Sequence, residues 1–276
     1  AKILYRGRDF QEFEAPDASD FFKNIVDSRM DIAKDDLVIG RYSVLPFYTE
    51  LERDCKKVGA KLINSYNEHL YAADMQNWYE DLYEHTPKTW FRVEQVPAGE
   101  GPFVVKGETN SRKFQWNTHM FAPTKADVIR IAGLLMNDGL LCDQKVCVRK
   151  YEPLVTYMHG LQGLPITQEF RLFVYKGVVL SVGYYWSSHL LDLQELGLKK
   201  PIECDPPMDW MNSVLKTVSD KIPFVVIDIA KTVEGKWIVI ELNDGQMSGL
   251  SCNKPQTLYR YLAGRLHAEG HSGVSI

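Results

Sequence analysis

Residues 221–250 read KIPFVVIDIAKTVEGKWIVIELNDGQMSGL. Two apolar runs, 224–229 and 237–242, flank a polar turn holding Glu234, Gly235 and Lys236, which is the pattern of a β-hairpin. Each run carries an acid or amide where an apolar residue is expected: Asp228 near the end of the first, Glu241 and Asn243 at the end of the second. Side chains two apart on a strand share a face, so Glu241 and Asn243 project together. Asp228 lies opposite them if the hairpin register allows it. Three oxygen donors on adjacent strands suit a hard cation such as Mg²⁺, which takes few protein ligands and fills its shell with phosphate and water. Read alone, Asp228 and Asn243 also fit as ordinary strand-end residues.

The rest of the chain sets limits on what this hairpin serves. With 276 residues there is room for one large or two modest domains. The net charge of −4 disfavours a bare nucleic-acid-binding module, although 32 Lys and Arg leave local basic patches open. Cys55, Cys142, Cys147, Cys204 and Cys252 form no CxxC pair and no zinc-ligand spacing. With no apolar leader at the start, they read as free thiols in a reducing cytosol, so the expected location is cytoplasmic. No apolar run is long enough to span a membrane.

In chain order, KILY at 2–5 reads as a strand, and the apolar spacing of Phe21, Phe22, Ile25, Val26 and Met30 predicts a helix over 18–31, capped by Asp17 or Ser19. A strand over 37–46, a helix from Pro46 to a terminating Gly59 and a strand from Lys61 complete a small α/β unit. The aromatic segment 65–82 has helical spacing and reads as core or packing surface. His85-Thr86-Pro87 breaks the pattern and sets a domain boundary, giving units 1–88 and 89–276. The second unit holds a strand ending at Lys106, a helix over 124–139, the strand VCVRKYEPL at 146–154, a hairpin about Lys176-Gly177, a helix over 209–220, the opening hairpin and a helix over 255–266. The polar, glycine-containing tail HAEGHSGVSI reads as mobile.

Neither GxxxxGK[ST] nor GxGxxG nor GxSxG occurs, so a nucleotide held by this chain sits in another architecture. Lys106, at a strand end beside a glycine, can reach a phosphate as a point charge or stand as a surface lysine. The loop GETNSRKFQWN brings Ser111, Arg112 and Lys113 and can fold over an anion. Glu169 and Arg171 alternate with Phe170 and Leu172, so one face of their strand is charged. Arg171 fits either a solvent-facing ion pair or, if it faces the Asp228, Glu241 and Asn243 group, a phosphate, whose oxygens match its fork. Lys231 follows Asp228 closely and is either part of the same site or a surface lysine. His119 and His159 have no ligand spacing, and a hydrogen-bonded structural role is the simpler reading for both.

The order of these pieces resembles the ATP-grasp superfamily over about residues 89–265: strand with Lys106, loop, helix, strand VCVRKYEPL, hairpin with Arg171, hairpin with Asp228, Glu241 and the ELN ending. Within it the chain looks like the phage and bacterial clade marked by an arginine and a late lysine, here Arg171 and Lys231, and IGRYSVLPFYTELE looks like that clade's leading domain. The resemblance implies an α+β ATP-grasp fold, two subdomains clamping ATP, behind a small α/β domain. It implies that Lys106 contacts the phosphates, that the 107–117 loop with Arg112 and Lys113 covers them, and that Arg149, Lys150 and Tyr151 form the hinge beside adenine. Glu169 falls in the nucleotide site; Arg171 and Lys231 stabilise the transferring phosphate; Asp228, Glu241 and Asn243 hold one or two Mg²⁺ ions, or Mn²⁺. The family hinge carries an acid or amide where this chain has Arg149 and Lys150.

The implied activity is an ADP-forming carbon–nitrogen ligase: ATP phosphorylates a carboxylate, and an amine attacks the acylphosphate. Small-molecule or peptide carboxylates and amines are the implied partners, with no membrane and a homodimer among the oligomeric options. Phosphoryl transfer needs positioning and charge neutralisation more than a protein nucleophile, which agrees with the absence of one. The alternatives are a nucleotide-binding regulatory or host-interaction module without ligation, and an ATP-grasp enzyme directed at nucleic acid. The leading domain and residues 184–189 are candidates for the acceptor pocket, whose substrate the residues do not spell out.

Overall fold

The computed structural model describes residues 1–6, 13–139, 141–198 and 202–275. The chain opens with β1 (Lys2–Leu4), α1 (Ala15–Ser19), β2 (Ile25–Val26), β3 (Leu37–Gly40), α2 (Tyr48–Lys57) and β4 (Lys61–Leu62). The four strands pair in parallel in the order β2-β1-β3-β4. Apart from Lys2 and Lys61 at the starts of β1 and β4, these strands carry apolar side chains, and the central pair is covered on both faces. Ile3 and Ile39 face one core, Leu4 and Val38 another. α2 carries Glu50 early and Lys56 and Lys57 late, in keeping with its dipole, and Gly59 follows it at φ +78°.

Two expectations fail in this unit. The helix expected over 18–31 does not form. α1 ends at Ser19, Glu14 holds its N-cap position, and Ile25 and Val26 join β1 as a parallel strand. The segment around these two β-branched residues gains ladder bonds there: Ile3 donates to the Asn24 carbonyl at 3.0 Å and Tyr5 to the Val26 carbonyl at 2.9 Å. Met30, counted in the helical spacing, is exposed. The tail is not loose either. Val274 is buried and bridges Phe22, Lys23 donates to the Gly273 carbonyl, and Ser275 donates to the Phe21 carbonyl.

The aromatic segment becomes α3 (Tyr66–Ala73), opened by a capping box between Ser65 and Glu68, and α4 (Met75–Trp78). It is core, as its spacing predicts: Ala72, Met75, Trp78 and Leu82 pack under the last sheet. Next come β5 (Thr89–Trp90), β6 (Phe103–Gly107), α5 (Trp116–His119), β7 (Phe121–Ala122), α6 (Lys125–Met136) and β8 (Val146–Lys150). These strands form an antiparallel sheet in the order β5-β8-β6-β7. α6, started by a Thr124–Asp127 capping box, covers it with Val128, Ile131 and Leu135 against Phe103, Val105 and Val148.

A small hairpin, β9 (Thr156–His159) and β10 (Pro165–Thr167), leads to β11 (Glu169–Tyr175), β12 (Val178–Tyr184), α7 (Leu190–Glu195), α8 (Met208–Ser219), β13 (Phe224–Lys231), β14 (Trp237–Asp244) and α9 (Pro255–Ala268). The long strands pair antiparallel in the order β12-β11-β13-β14. One face is apolar along its length, with Phe170, Leu172, Val174, Val225, Ile227 and Ile229 in one core. The other face changes along the strand: Phe173, Tyr175, Phe224 and Val226 pack beneath the leading sheet and α9, while Glu169, Arg171 and Asp228 lie beyond them. The charged row therefore sits where the leading unit stops covering the sheet. Among the described residues no helix is long and apolar enough to cross a membrane, and all five cysteines are free thiols.

Candidate active site

The hairpin register joins Arg171, Asp228 and Glu241 in one row: Arg171 is the cross-strand partner of Asp228, and Asp228 of Glu241. Directly beyond this row β14 bulges. Ile229 pairs with Val239, leaving Ile240 as an extra residue. The bulge keeps Ile238, Ile240, Glu241 and Asn243 all facing the clefts described below. The outer edge of β14 is covered at this point. Val239 donates to the His85 carbonyl at 2.7 Å, and the Val239 carbonyl accepts from Thr86 Oγ1 at 2.8 Å.

Arg171 holds Asp228 in a two-pronged pair, Nε to Oδ1 at 2.9 Å and Nη2 to Oδ2 at 2.8 Å, and its Nη1 donates to the Gly249 carbonyl at 2.9 Å. Lys106 reaches from β6 across to β14, where Nζ donates to Glu241 Oε1, so this ion pair ties one sheet to the other. Burial would raise the Glu241 pKa, but the ammoniums of Lys106 and Lys113 outweigh it and hold the carboxyl down at about 2. Glu169, on the same face, goes the other way. Burial pushes it up to about 7 against the opposing pull of Lys113. Lys113 donates to Tyr185 Oη and lies 4.3 Å above that ring; Arg171 Cζ lies 5.0 Å from the same ring.

Two clefts meet at these groups. An apolar one of ≈ 850 Å³ lies between the two antiparallel sheets, with Val104, Trp116, Met120, Tyr151, Ile238 and Ile240 among its walls. A polar one of ≈ 1720 Å³ holds Asn110, Arg112, Arg171, Tyr185, His189 and Asn243. Both are lined by Ser111, Lys113, Trp186 and Glu241. A flat apolar slot opening onto a cluster of cations is a shape for an aromatic base with phosphates attached.

Of the residues named from sequence, Lys106, Lys113, Arg149, Lys150, Tyr151, Glu169 and Glu241 line the apolar cleft, and Arg112, Lys113, Arg171, Glu241 and Asn243 the polar one. Arg112 has its fork on Asp138, and Lys150 lies near Glu152 at 3.7 Å. Asp228 is brought to the row but buried beneath Arg171, which occupies both its oxygens. Among the described residues no group of three or more His, Cys, Asp or Glu is placed to hold a metal ion. Lys231 is not brought to the site. Three residues from Asp228 it points to the opposite face of β13, pairs with Asp205 at 3.1 Å and lies 5.6 Å above the Trp237 ring. His119 borders the polar cleft; His159 is exposed on β9, outside both.

Arg149 lines the slot but spends its guanidinium on protein groups. Its Nη1 donates to the Ile240 carbonyl and its Nη2 to Thr86 Oγ1, each at 2.6 Å, so it clamps β8 to the bulged edge of β14. Burial lowers its pKa to about 10. Tyr185 and Trp186 fall in the 184–189 stretch named from the sequence as a candidate acceptor pocket, whereas Thr167 and Ile240 were missed. Trp186 Nε1 donates to Thr167 Oγ1, which donates in turn to Glu169 Oε2. The aromatic run after β12 was a legible signal; the bulge at Ile240 left none.

Known proteins bear on this geometry. The ATP-grasp domain, R2K clade family 3, matches residues 95–262. A search of the curated proteins gives no match. Among solved structures, the ATP-grasp ligase PsnB complexed with precursor peptide PsnA2 and AMPPNP superposes with a TM-score of 0.60 at 10% identity, over 96% of this chain and 97% of that one. A RimK domain protein ATP-grasp from Sphaerobacter thermophilus DSM 20745 gives 0.58 at 12% identity, over 95% and 99%. The D-alanine–D-alanine ligase from Bacillus anthracis, complexed with ATP, gives 0.54 at 13%, over 98% and 90%. At such identities the likeness is one of fold. The family match spans more than half of the chain and takes in Lys106, Arg171, Asp228, Glu241 and Asn243, so the chain belongs to the ATP-grasp family, R2K clade family 3, and has the ATP-grasp fold.

Proposed function

We propose that this protein is an ATP-dependent carboxylate–amine ligase that works through an acylphosphate. The observation that carries this reading is the Lys106–Glu241 pair, which bridges the two sheets where the apolar slot meets the cationic cleft. In this reading residues 89–276 form the ligase unit, residues 1–88 border its acceptor side, and adenine lies in the slot beside Lys150 and Tyr151. Lys106 and Lys113 meet the phosphates. Arg171 presents its remaining N–H groups to the phosphoryl group in transfer, backed by Asp228. The substrate carboxylate oxygen attacks the γ-phosphorus as the bond to ADP breaks. The amine then attacks the acyl carbon, phosphate leaves, and the amine gives up a proton. Amino-acid or peptide substrates are the natural class, given the ligases that share the fold.

The donor set fits Mg²⁺ at Glu241 and Asn243. They are two apart on one face, and Glu241 is held ionised. Such an ion would neutralise phosphate charge; Asp228 supports the site through Arg171 rather than from a free carboxylate. The test is mass spectrometry of cell extract incubated with protein, ATP and Mg²⁺. A condensation product with ADP release that requires acid and amine together is expected, and Lys106→Ala and Glu241→Ala should each abolish it while the fold persists. Full turnover in both variants would sink the assignment.

A further inference from the structure

Arg41 follows β3 in the leading unit, and its side chain is fully buried. Its Nη2 meets both oxygens of Glu14 at 2.7 and 2.8 Å, its Nε donates to Glu14 and to Tyr259 Oη at 3.2 Å each, and Cζ lies 5.7 Å from the Phe173 ring. Its Nη1 is spent on the segment after β14. It donates to the carbonyls of Gly245 at 2.6 Å, Gln246 at 3.1 Å and Ser248 at 3.0 Å. The next carbonyl in that segment, Gly249, accepts from Arg171 Nη1. One guanidinium thus fixes the loop that helps to fix another.

The same loop is anchored at its start. Asp244 accepts from Tyr48 Oη at 2.9 Å and from Asn64 Nδ2 at 2.7 Å. Gln246 Oε1 accepts from the Gly40 N–H at 3.0 Å, and Gln246 Nε2 donates to Tyr48 Oη at 2.6 Å. Of the five N–H groups on Arg171, whose side chain lines the polar cleft, Asp228 takes two and Gly249 one, leaving two. A shift of the Gly249 carbonyl re-aims those two.

We infer that Arg41 is a positioning residue for phosphate recognition: by clamping the 245–248 carbonyls it sets Gly249 and so orients Arg171 toward the nucleotide's terminal phosphates. This rests on reading the cleft as a nucleotide site. It makes the leading unit part of the phosphate machinery although none of its described side chains lines the polar cleft.

The experiment is calorimetric titration of the whole chain, in Mg²⁺, with AMPPNP and separately with AMP. If wild type binds neither, the nucleotide reading fails and the inference with it. If wild type binds both, Arg171→Gln should weaken AMPPNP about tenfold and leave AMP within about twofold, the loss of a charge-assisted contact to the far phosphates. Arg41→Met should reproduce that selective loss at about five- to tenfold, and the double variant should lose no more than Arg171→Gln alone, since both act on one group. A folded Arg41→Met protein with an unchanged AMPPNP-to-AMP ratio, or losses that add in the double variant, would overturn the inference. Should Arg41→Met not fold, Gln246→Ala loosens the same loop without stranding a buried charge. A smaller shift of the ratio in the same direction supports the inference, and an unchanged ratio rejects it.

Discussion

Arg41 and Arg171 both grip a carboxylate beside the same sheet, yet they are spent differently. At Arg41 both partners are sealed, with 0% of either side chain exposed, and every guanidinium nitrogen has a protein acceptor. At Arg171 the arginine keeps 12% exposure and faces a cleft with donors left over. A buried pair with all its donors satisfied locks architecture; a buried pair with donors in reserve, aimed at a cavity, is prepared for an anion. That contrast separates the two arginines where charge and burial alone do not.

The strongest way to break the comparison is stability. Arg41→Met strands Glu14 and should cost about 3–5 kcal/mol by urea denaturation, more than Arg171→Gln; the reverse order would show that the cleft pair, not the sealed one, holds the fold together. Glu241 comes next. Its pKa is depressed to about 2 in the folded chain, so its contribution is present above its ordinary pKa and is lost as pH falls from about 4.5 toward 2. Glu241→Gln should be less stable than wild type near neutrality by about 3 kcal/mol, converging with it near pH 2.

Glu169 sharpens the picture with the opposite sign. Its pKa is raised to about 7, so the folded state keeps a proton that the unfolded chain gives up, and wild-type stability declines as pH rises from about 4.5 to 7. Glu169→Gln removes that decline. The stability difference between the two should move in favour of the variant by roughly 2–3 kcal/mol between pH 4 and pH 8. The smallest effect belongs to Lys231, whose partner Asp205 is 56% exposed. Lys231→Ala should change stability by less than about 0.5 kcal/mol and leave AMPPNP affinity within about twofold, as calorimetry would read. A tenfold loss would return Lys231 to the site.

The charged row was legible because β periodicity and a hairpin turn are local. Asp228 does face Glu241, and Glu241 and Asn243 share a face. Alternation could also have placed Lys231 on the far side of β13, since it stands three residues from Asp228; there the family resemblance overrode the pleat. Arg149 looked like a hinge cation at the surface, and its role as a clamp depends on carbonyls about ninety residues away. Arg41 fell inside the run expected as a strand over 37–46, but β3 ends at Gly40 and nothing local marked the arginine as a buried clamp. The helix expected over 18–31 failed because ladder bonds to β1 outweighed local spacing, and the tail was docked by Phe21 and Phe22, contacts that span nearly the whole chain.

The bulge at Ile240 has an evolutionary consequence. In an unbroken pleat, Ile238 and Ile240 would share their side with Leu242 and Asp244, and Glu241 and Asn243 would point into the opposite core. The extra residue advances the strand by half a period, so two sequence segments that are out of phase present a single surface. Deleting Ile240 alone would make Val239 and Glu241 adjacent in regular alternation with their present partners Ile229 and Asp228, so Glu241 and Asn243 would keep their face. A single deletion in β14 should therefore be tolerated at Ile240 far more readily than at any other position of the strand, a contrast that a deletion series read by AMPPNP binding would reveal.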